Sequence, residues 1–342
     1  MVVYLVLLLI VLLVSWGLTG LVRRYALANS LIDIPNNRSS HSMAVPRGGG
    51  VSIVFVVLLA WLGLWVSGEV TFSLMMALFG GGGIVAFIGF MDDHNHIAAR
   101  WRLLAHFFAA AWVLFFLGGL PPFYLFSVEF NFGLFGYIAA AFYIVWLLNL
   151  YNFMDGIDGI ASIEAITVCF SASVITLLVL PFEIGFTLAL LVVVASSVGF
   201  LIWNFPQAKI FMGDAGSGFL GLVIAALSIQ AAWQKSELLW CWLILLGVFI
   251  VDATLTLARR IMRGEKFYQA HRSHAYQFAA RKYDSHVKVS LGVGLVNIFW
   301  LFPVALCVAF GWVNEFAGLF IAYVPLVYLA YKLNAGLAEV LS

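Results

Sequence analysis

Eleven runs of mostly apolar residues divide the chain, near 2–22, 49–66, 71–90, 103–119, 134–150, 159–180, 185–203, 216–233, 238–257, 287–311 and 316–333. A bilayer core is roughly 30 Å thick, and about 20 helical residues cross it. In lipid, a spanning segment must satisfy its own backbone hydrogen bonds, so runs of this kind have to be helices. The expected fold is all-α, a polytopic membrane protein with about 11 transmembrane helices. No polar stretch reaches the ~50 residues of a soluble domain, so residues 1–342 read as one integral membrane domain.

Composition agrees. Hydrophobic residues make up 64% of the chain and charged residues 10%, against about 25% charge in soluble proteins. This excludes a soluble enzyme, a disordered chain and a nucleic-acid binder. The net charge of +1 gives no global field, so the placement of charges carries the information. With the N-terminus outside, 16 of the 17 Lys and Arg fall in inner loops or at the inner ends of runs, and only Lys235 lies outside. The positive-inside rule then predicts a periplasmic N-terminus and a cytoplasmic C-terminus. The first run ends at Arg23-Arg24 and lacks a basic start, so it reads as an uncleaved first helix. Cys169, Cys241 and Cys307 fall in apolar runs and form no metal or disulfide pattern. Gly80 to Gly83 is read as allowing close helix packing. Residues 123–132 read as an outer hairpin or an interfacial segment.

Most remaining acids gather at the inner ends of the runs. Ionisable groups at membrane level are costly and usually functional. Asp92-Asp93 places two adjacent carboxylates at a helix end, which favours a bound cation or a shared proton. Asn149, Asn152 and Asp155 are spaced by three, so a helix would put them on one face. Asp155-Gly156 and Asp158-Gly159 then break the helix and free backbone N–H groups, a combination that suits magnesium and phosphate. Asp214 stands alone in its loop, just before Gly216-Ser217 opens another helix, and suits a magnesium ligand. Phe211 could stack on a nucleobase or simply pack. His271, Arg272 and His274 form a candidate phosphate or sugar clamp; a zinc site lacks a further ligand nearby. Asp252 could orient that loop or pair with an Arg. Arg38, His41 and Arg47 could hold a lipid phosphate where the second helix begins.

Three segments, DIPNNRSSH at 33–41, NLYNFMDGIDGIA at 149–161 and PQAKIFMGDAGS at 206–217, resemble the polyprenyl-phosphate N-acetylhexosamine-1-phosphate transferase family, glycosyltransferase family 4. The resemblance runs from about residue 31 to 277 and follows the family's order. It implies a ten- or eleven-helix fold with its active site on the cytoplasmic face. It implies magnesium, with manganese as a substitute, held by Asp214 and Asn152. Asp155 and Asp158 would help hold the nucleotide, with Asn149 beside them, and Phe211 would face the uracil. Asp92 and Asp93 would deprotonate or position the lipid phosphate, and His271, Arg272 and His274 would contact the diphosphate or sugar. The implied partners are a UDP-N-acetylhexosamine, undecaprenyl phosphate, the bilayer and a second copy in a homodimer, with no nucleic acid. The segment HRSHAYQ at 271–277 departs from the His-rich triplet of better-known members. It resembles the O-antigen-initiating subgroup that uses N-acetylfucosamine or N-acetylglucosamine. The rival expectation is a transporter of a nucleotide-sugar or lipid-linked substrate, which would carry carboxylates near helix centres and internal symmetry.

Overall fold

The structure is a computed structural model, and it describes residues 2–35, 43–95, 97–125, 128–265 and 271–338. Arg38 and His41 lie outside the described residues. The first half comprises α1 (Val2–Ala28), α2 (Val51–Val66), α3 (Phe72–His94), α4 (Ala99–Leu117), α5 (Leu134–Met154), α6 (Ile160–Val179) and α7 (Ile184–Asn204). Then follow α8 (Asp214–Gln234), α9 (Glu237–Leu245), α10 (Gly247–Met262), α11 (Ala275–Tyr283) and α12 (His286–Val296). A π-helical turn (Asn297–Leu301), α13 (Phe302–Ala309) and α14 (Glu315–Lys332) complete the chain. Two small antiparallel ribbons interrupt the helices. Ile32–Asp33 pairs with Val45–Pro46, and Phe123–Leu125 pairs antiparallel with Val128–Phe130, within the segment expected to be an outer hairpin or interfacial.

A helix is found at each apolar run, because lipid leaves the backbone no other partner. Among the described residues, nine helices are long and apolar enough to cross a membrane, with α12 to α13 counted as one, or ten if the bent pair α9–α10 is one span, and the chain is a multi-pass membrane protein. The run near 238–257 is not one straight span. It breaks into α9 and α10, bent by 72°. Nine residues rise only about 14 Å, too little to cross. The sequence changes character at the break: after Glu237 at its start α9 is apolar, whereas α10 carries Asp252, Thr256, Arg259 and Arg260. Helix α2, with 16 residues, is also short for a span.

Helix α8 forms the axis of the bundle and is almost wholly buried, with α3 and α5 packed along it. Small residues permit this. A Cβ at Gly221 would sit 2.8 Å from Leu148 Cα of α5, and one at Gly89 of α3 would sit 2.5 Å from Ala215 N. The glycine run packs as expected at three of its four positions: Cβ atoms at Gly80, Gly81 and Gly82 would collide with Trp112, Val113 and Phe219, while Gly83 faces open space. Of the free cysteines, Cys169 and Cys241 are buried and Cys307 is half-buried. Glu164 lies within α6, fully buried, and its carboxylate accepts a 2.7 Å bond from Asn297 Nδ2 in the π-helical turn. This bond fastens α6 to the chain that follows α12.

Candidate active site

The last turn of α3, the end of α5, the start of α8 and the segments 43–50, 155–159, 205–213 and 271–274 meet at one end of the bundle. Hydrogen bonds between segments set their positions. Phe211 N donates to Pro46 O (2.8 Å), Gly49 N to Phe211 O (2.9 Å) and Gly50 N to Met212 O (2.8 Å). This ladder ties Arg47 to the loop before α8. Asn204, at the end of α7, accepts from Gly159 N (2.8 Å) and donates to Ile210 O (2.9 Å), joining the two aspartate-bearing loops.

Asp214 is the hub. Its Oδ1 accepts from Asn152 Nδ2 (2.9 Å) and its Oδ2 from Arg102 Nη1 (3.0 Å). Asn152 also reaches Ser217 Oγ (2.9 Å). Arg102 pairs with Asp92 as well, and Asp92 accepts from Ile97 N (2.7 Å). Asp93 takes the helix N-terminus itself, accepting from Asp214 N (3.1 Å) and Ala215 N (3.4 Å). A carboxylate is favoured there by the free N–H groups and the helix dipole. Gly213 makes room for it, because its φ is +78° and a Cβ would lie 2.6 Å from Asp93 Oδ2. The two adjacent aspartates therefore hold separate partners, one a guanidinium and the other a helix end.

Two cavities of opposite character share the Asn152–Asp214 pair. A polar one of about 290 Å³ is lined by five carboxylates, Asp33, Asp93, Asp155, Asp158 and Asp214, with Arg47. It shares Phe211, Asp158, Gln277 and His286 with a wider opening of about 630 Å³ where Arg272 and Arg281 lie. The second cavity, about 280 Å³, is walled by Val85, Ile88, Leu103, Trp146 and Leu257, and its polar end carries Arg102, Asn149, His271 and His274. Asp155 is pushed up to about 7 by burial and by the charges of Asp214, Asp93 and Asp158. Such mutual repulsion is relieved by a cation.

The expected single face of Asn149, Asn152 and Asp155 divides. Helix α5 stops at Met154, so Asp155 turns into the polar cavity while Asn149 stays in the apolar one and donates to Val145 O (2.7 Å). Asn152 borders both. Asp158 is tied into the loop framework: it accepts from Ala208 N (3.2 Å), lies 3.3 Å from His286 Nδ1, and its carbonyl accepts from Ser290 (2.7 Å). His274 is buried against Asp252, which also caps α11 through Ala275 N (2.8 Å) and Tyr276 N (2.9 Å). Asp252 thus orients this loop. Among the described residues no group of three or more His, Cys, Asp or Glu that could hold a metal ion occurs; the Asp214–Asn152 pair offers one carboxylate and one amide, a sparse donor set of the kind that leaves room for water and phosphate ligands. His106, Arg281 and His286 were not singled out from sequence as site residues. Arg102 is ten residues from Asp92, and only the turn between α3 and α4 brings them together.

The profile described as Glycosyl transferase family 4 matches residues 75–232, which include Asp92, Asp93, Asn152, Asp155 and Asp214. The chain is 32% identical over 326 residues to a probable undecaprenyl-phosphate N-acetylglucosaminyl 1-phosphate transferase of Bacillus subtilis (strain 168), covering 91% of this chain and 86% of that protein. It is 29% identical over 317 residues to a decaprenyl-phosphate N-acetylglucosaminephosphotransferase of Mycobacterium leprae, covering 81% and 77%. A phospho-N-acetylmuramoyl-pentapeptide-transferase of Nautilia profundicola is 26% identical over 265 residues, covering 69% and 73%. With its matching motifs gathered at one end of a membrane bundle, the chain belongs to the polyprenyl-phosphate hexosamine-1-phosphate transferases of glycosyl transferase family 4.

Proposed function

We propose that this protein transfers an N-acetylhexosamine 1-phosphate from its UDP-sugar to undecaprenyl phosphate and releases UMP. The observation that carries this reading is the meeting of a carboxylate-lined cavity and an apolar cavity at Asn152 and Asp214. The reaction joins a water-soluble donor to a lipid acceptor, and this seam gives each a side of its own. The relatives named for N-acetylglucosamine and for polyprenyl phosphates support the same substrates. The 16-to-1 division of Lys and Arg supports placing this end of the bundle in the cytoplasm, and the bacterial relatives support placing the protein in a bacterial inner membrane. Use of the product in O-antigen or related envelope polysaccharide, and a homodimeric state, belong to the same reading.

An oxygen of the lipid phosphate attacks the sugar-side phosphorus of the diphosphate. The new P–O bond forms as the P–O bond to the uridylyl phosphate breaks, and UMP leaves with that electron pair. Both reactants are anions, so positive groups must offset their repulsion. Arg102 on the lipid side and Arg47 on the nucleotide side are placed for this. A phosphate monoester has a second pKa near 6 and needs little deprotonation at neutral pH. Asp92 and Asp93, already bonded to Arg102 and to the start of α8, therefore act as positioning groups. Phe211 borders the nucleotide opening, with Arg272 across it.

The crowded carboxylates fit magnesium, with Asp214 and Asn152 as its holders and Asp155 facing the same cavity. When bound, the ion neutralises diphosphate charge as UMP departs. Purified protein in detergent is expected to release UMP from UDP-N-acetylglucosamine only with undecaprenyl phosphate present, and to stop in EDTA. No UMP release across a panel of UDP-N-acetylhexosamines would refute the reading; release that persists in chelator would remove the metal from it.

A further inference from the structure

The C-terminal end of α14 is fastened to the loop that carries His271, although the two are more than 60 residues apart in sequence. The helix stops in a Schellman motif. Asn334 takes a left-handed conformation (φ +60°), Asn334 N donates to Tyr331 O (3.1 Å), and Ala335 N reaches back to Ala330 O (3.0 Å). The turn then sinks into the side of α10. Ala335 is fully buried, and its carbonyl accepts from Arg259 Nη1 (2.7 Å), whose guanidinium lies 4.7 Å from the Tyr331 ring centre. Gly336 follows with φ +74°. A Cβ there would lie 2.8 Å from Arg259 Cβ and 2.9 Å from Thr256 O, so glycine alone fits both the conformation and the space.

Gly336 N donates to Ser273 O at 2.7 Å. Ser273 in turn contacts His271 Nδ1 through its hydroxyl (3.0 Å) and its backbone N–H (3.4 Å). A backbone N–H can only donate, so Nδ1 is the accepting nitrogen and Nε2 carries the ring proton. The His271 ring stacks on His274, with centres 4.8 Å apart, and Asp252 holds His274 from the other side. The loop over the Asp214 end of the apolar cavity is therefore clamped twice: by Asp252 within α10 and by the tail of α14.

We propose that Gly336 is a positioning residue: through the Ser273 carbonyl it sets the place and tautomer of His271 beside the Asn152–Asp214 seam. This rests on the reading of His271 as a group that contacts the substrate diphosphate or sugar.

The test is a double-mutant cycle on the full chain, with UDP-N-acetylglucosamine and undecaprenyl phosphate as substrates. Gly336→Ala is expected to lower kcat about tenfold or more, since small displacements of a reacting group are costly, with the KM for undecaprenyl phosphate unchanged. Gly336→Asn, which tolerates a left-handed backbone and so adds chiefly the Cβ clash, tests the same route where Gly336→Ala yields too little folded protein. In a His271→Ala background either change is expected to cost less than about twofold more, because the groups act as one unit. A purely structural defect would multiply with His271→Ala instead. Multiplying losses, or single variants with kcat within about twofold of wild type, overturn the proposal. His271→Ala with undiminished turnover overturns the reading of His271, and the proposal with it.

Discussion

The two cavities that share Asp214 differ in almost every physical respect. The polar one sets five carboxylates against Arg47, and backbone turns rather than helix faces wall much of it. The apolar one is a gap between α3, α4, α5 and α10, lined by Val85, Leu103, Trp146 and Leu257. Carboxylates outnumber cationic side chains around that cavity, and the excess negative charge calls for ligands that bring countercharge. An apolar gap beside a bilayer calls for a chain that is already in lipid. A single side-chain pair, Asn152 and Asp214, separates them, so chemistry between a soluble and a lipid substrate has one place to occur.

The most damaging change should be at the seam. Asp214→Ala removes the partner of both Asn152 and Arg102, and turnover is expected to fall by at least about a thousandfold while the protein still inserts and keeps its helix content by circular dichroism. Wild-type UMP release from that variant would show that the cavities do not cooperate there. Next comes a crossed pair. Trp146→Ala should raise the KM for undecaprenyl phosphate about tenfold and leave that for the UDP-sugar alone; Phe211→Ala should do the reverse. If either variant moved both constants equally, the division of labour between the cavities would be lost.

The smallest effect concerns protons. Burial, with the neighbouring His274 and Arg260, pulls His271 down to about 3, whereas Asp155 on the polar side is pushed up. The unfolded chain protonates His271 below about pH 6.5 and the folded protein does not. This residue's contribution to stability is therefore present at neutral pH and lost progressively as pH falls from about 6.5 toward 3. His271→Gln should flatten the loss by no more than ~1 kcal/mol at pH 5.5, discounted because the ring is only partly buried. A thermal midpoint with the same pH dependence in both proteins would contradict it.

Much of this arrangement is legible in the residues. The apolar runs find their helices because the bilayer imposes one solution on a backbone, and the segments at 149–161 and 206–217 come together as their residue types imply. Other features depend on contacts that spacing does not encode. The single face expected for Asn149, Asn152 and Asp155 assumed that α5 continues; it ends one residue before Asp155. The straight span expected near 238–257 assumed that apolar character alone decides, but α10 is turned aside and its Asp252 is bonded to the His274 loop. His286 stands in no motif, and only the packing of α12 beside α6 brings it to Asp158.

By itself the sequence determined that this chain lies in a membrane, that its helices occupy the apolar runs, and that its acids, amides and glycines are those of a phosphotransferase family. Those properties follow from local composition and from the solvent around the chain. Tertiary structure decided which partner each acid holds: Asp92 takes Arg102, Asp93 caps a helix 121 residues further on, and Asp214 bridges two cavities. Hydrogen bonds need approaches of about 3 Å. Which groups come that close depends on how small residues such as Gly89 and Gly213 let separate segments pack, and no stretch of the sequence states this alone.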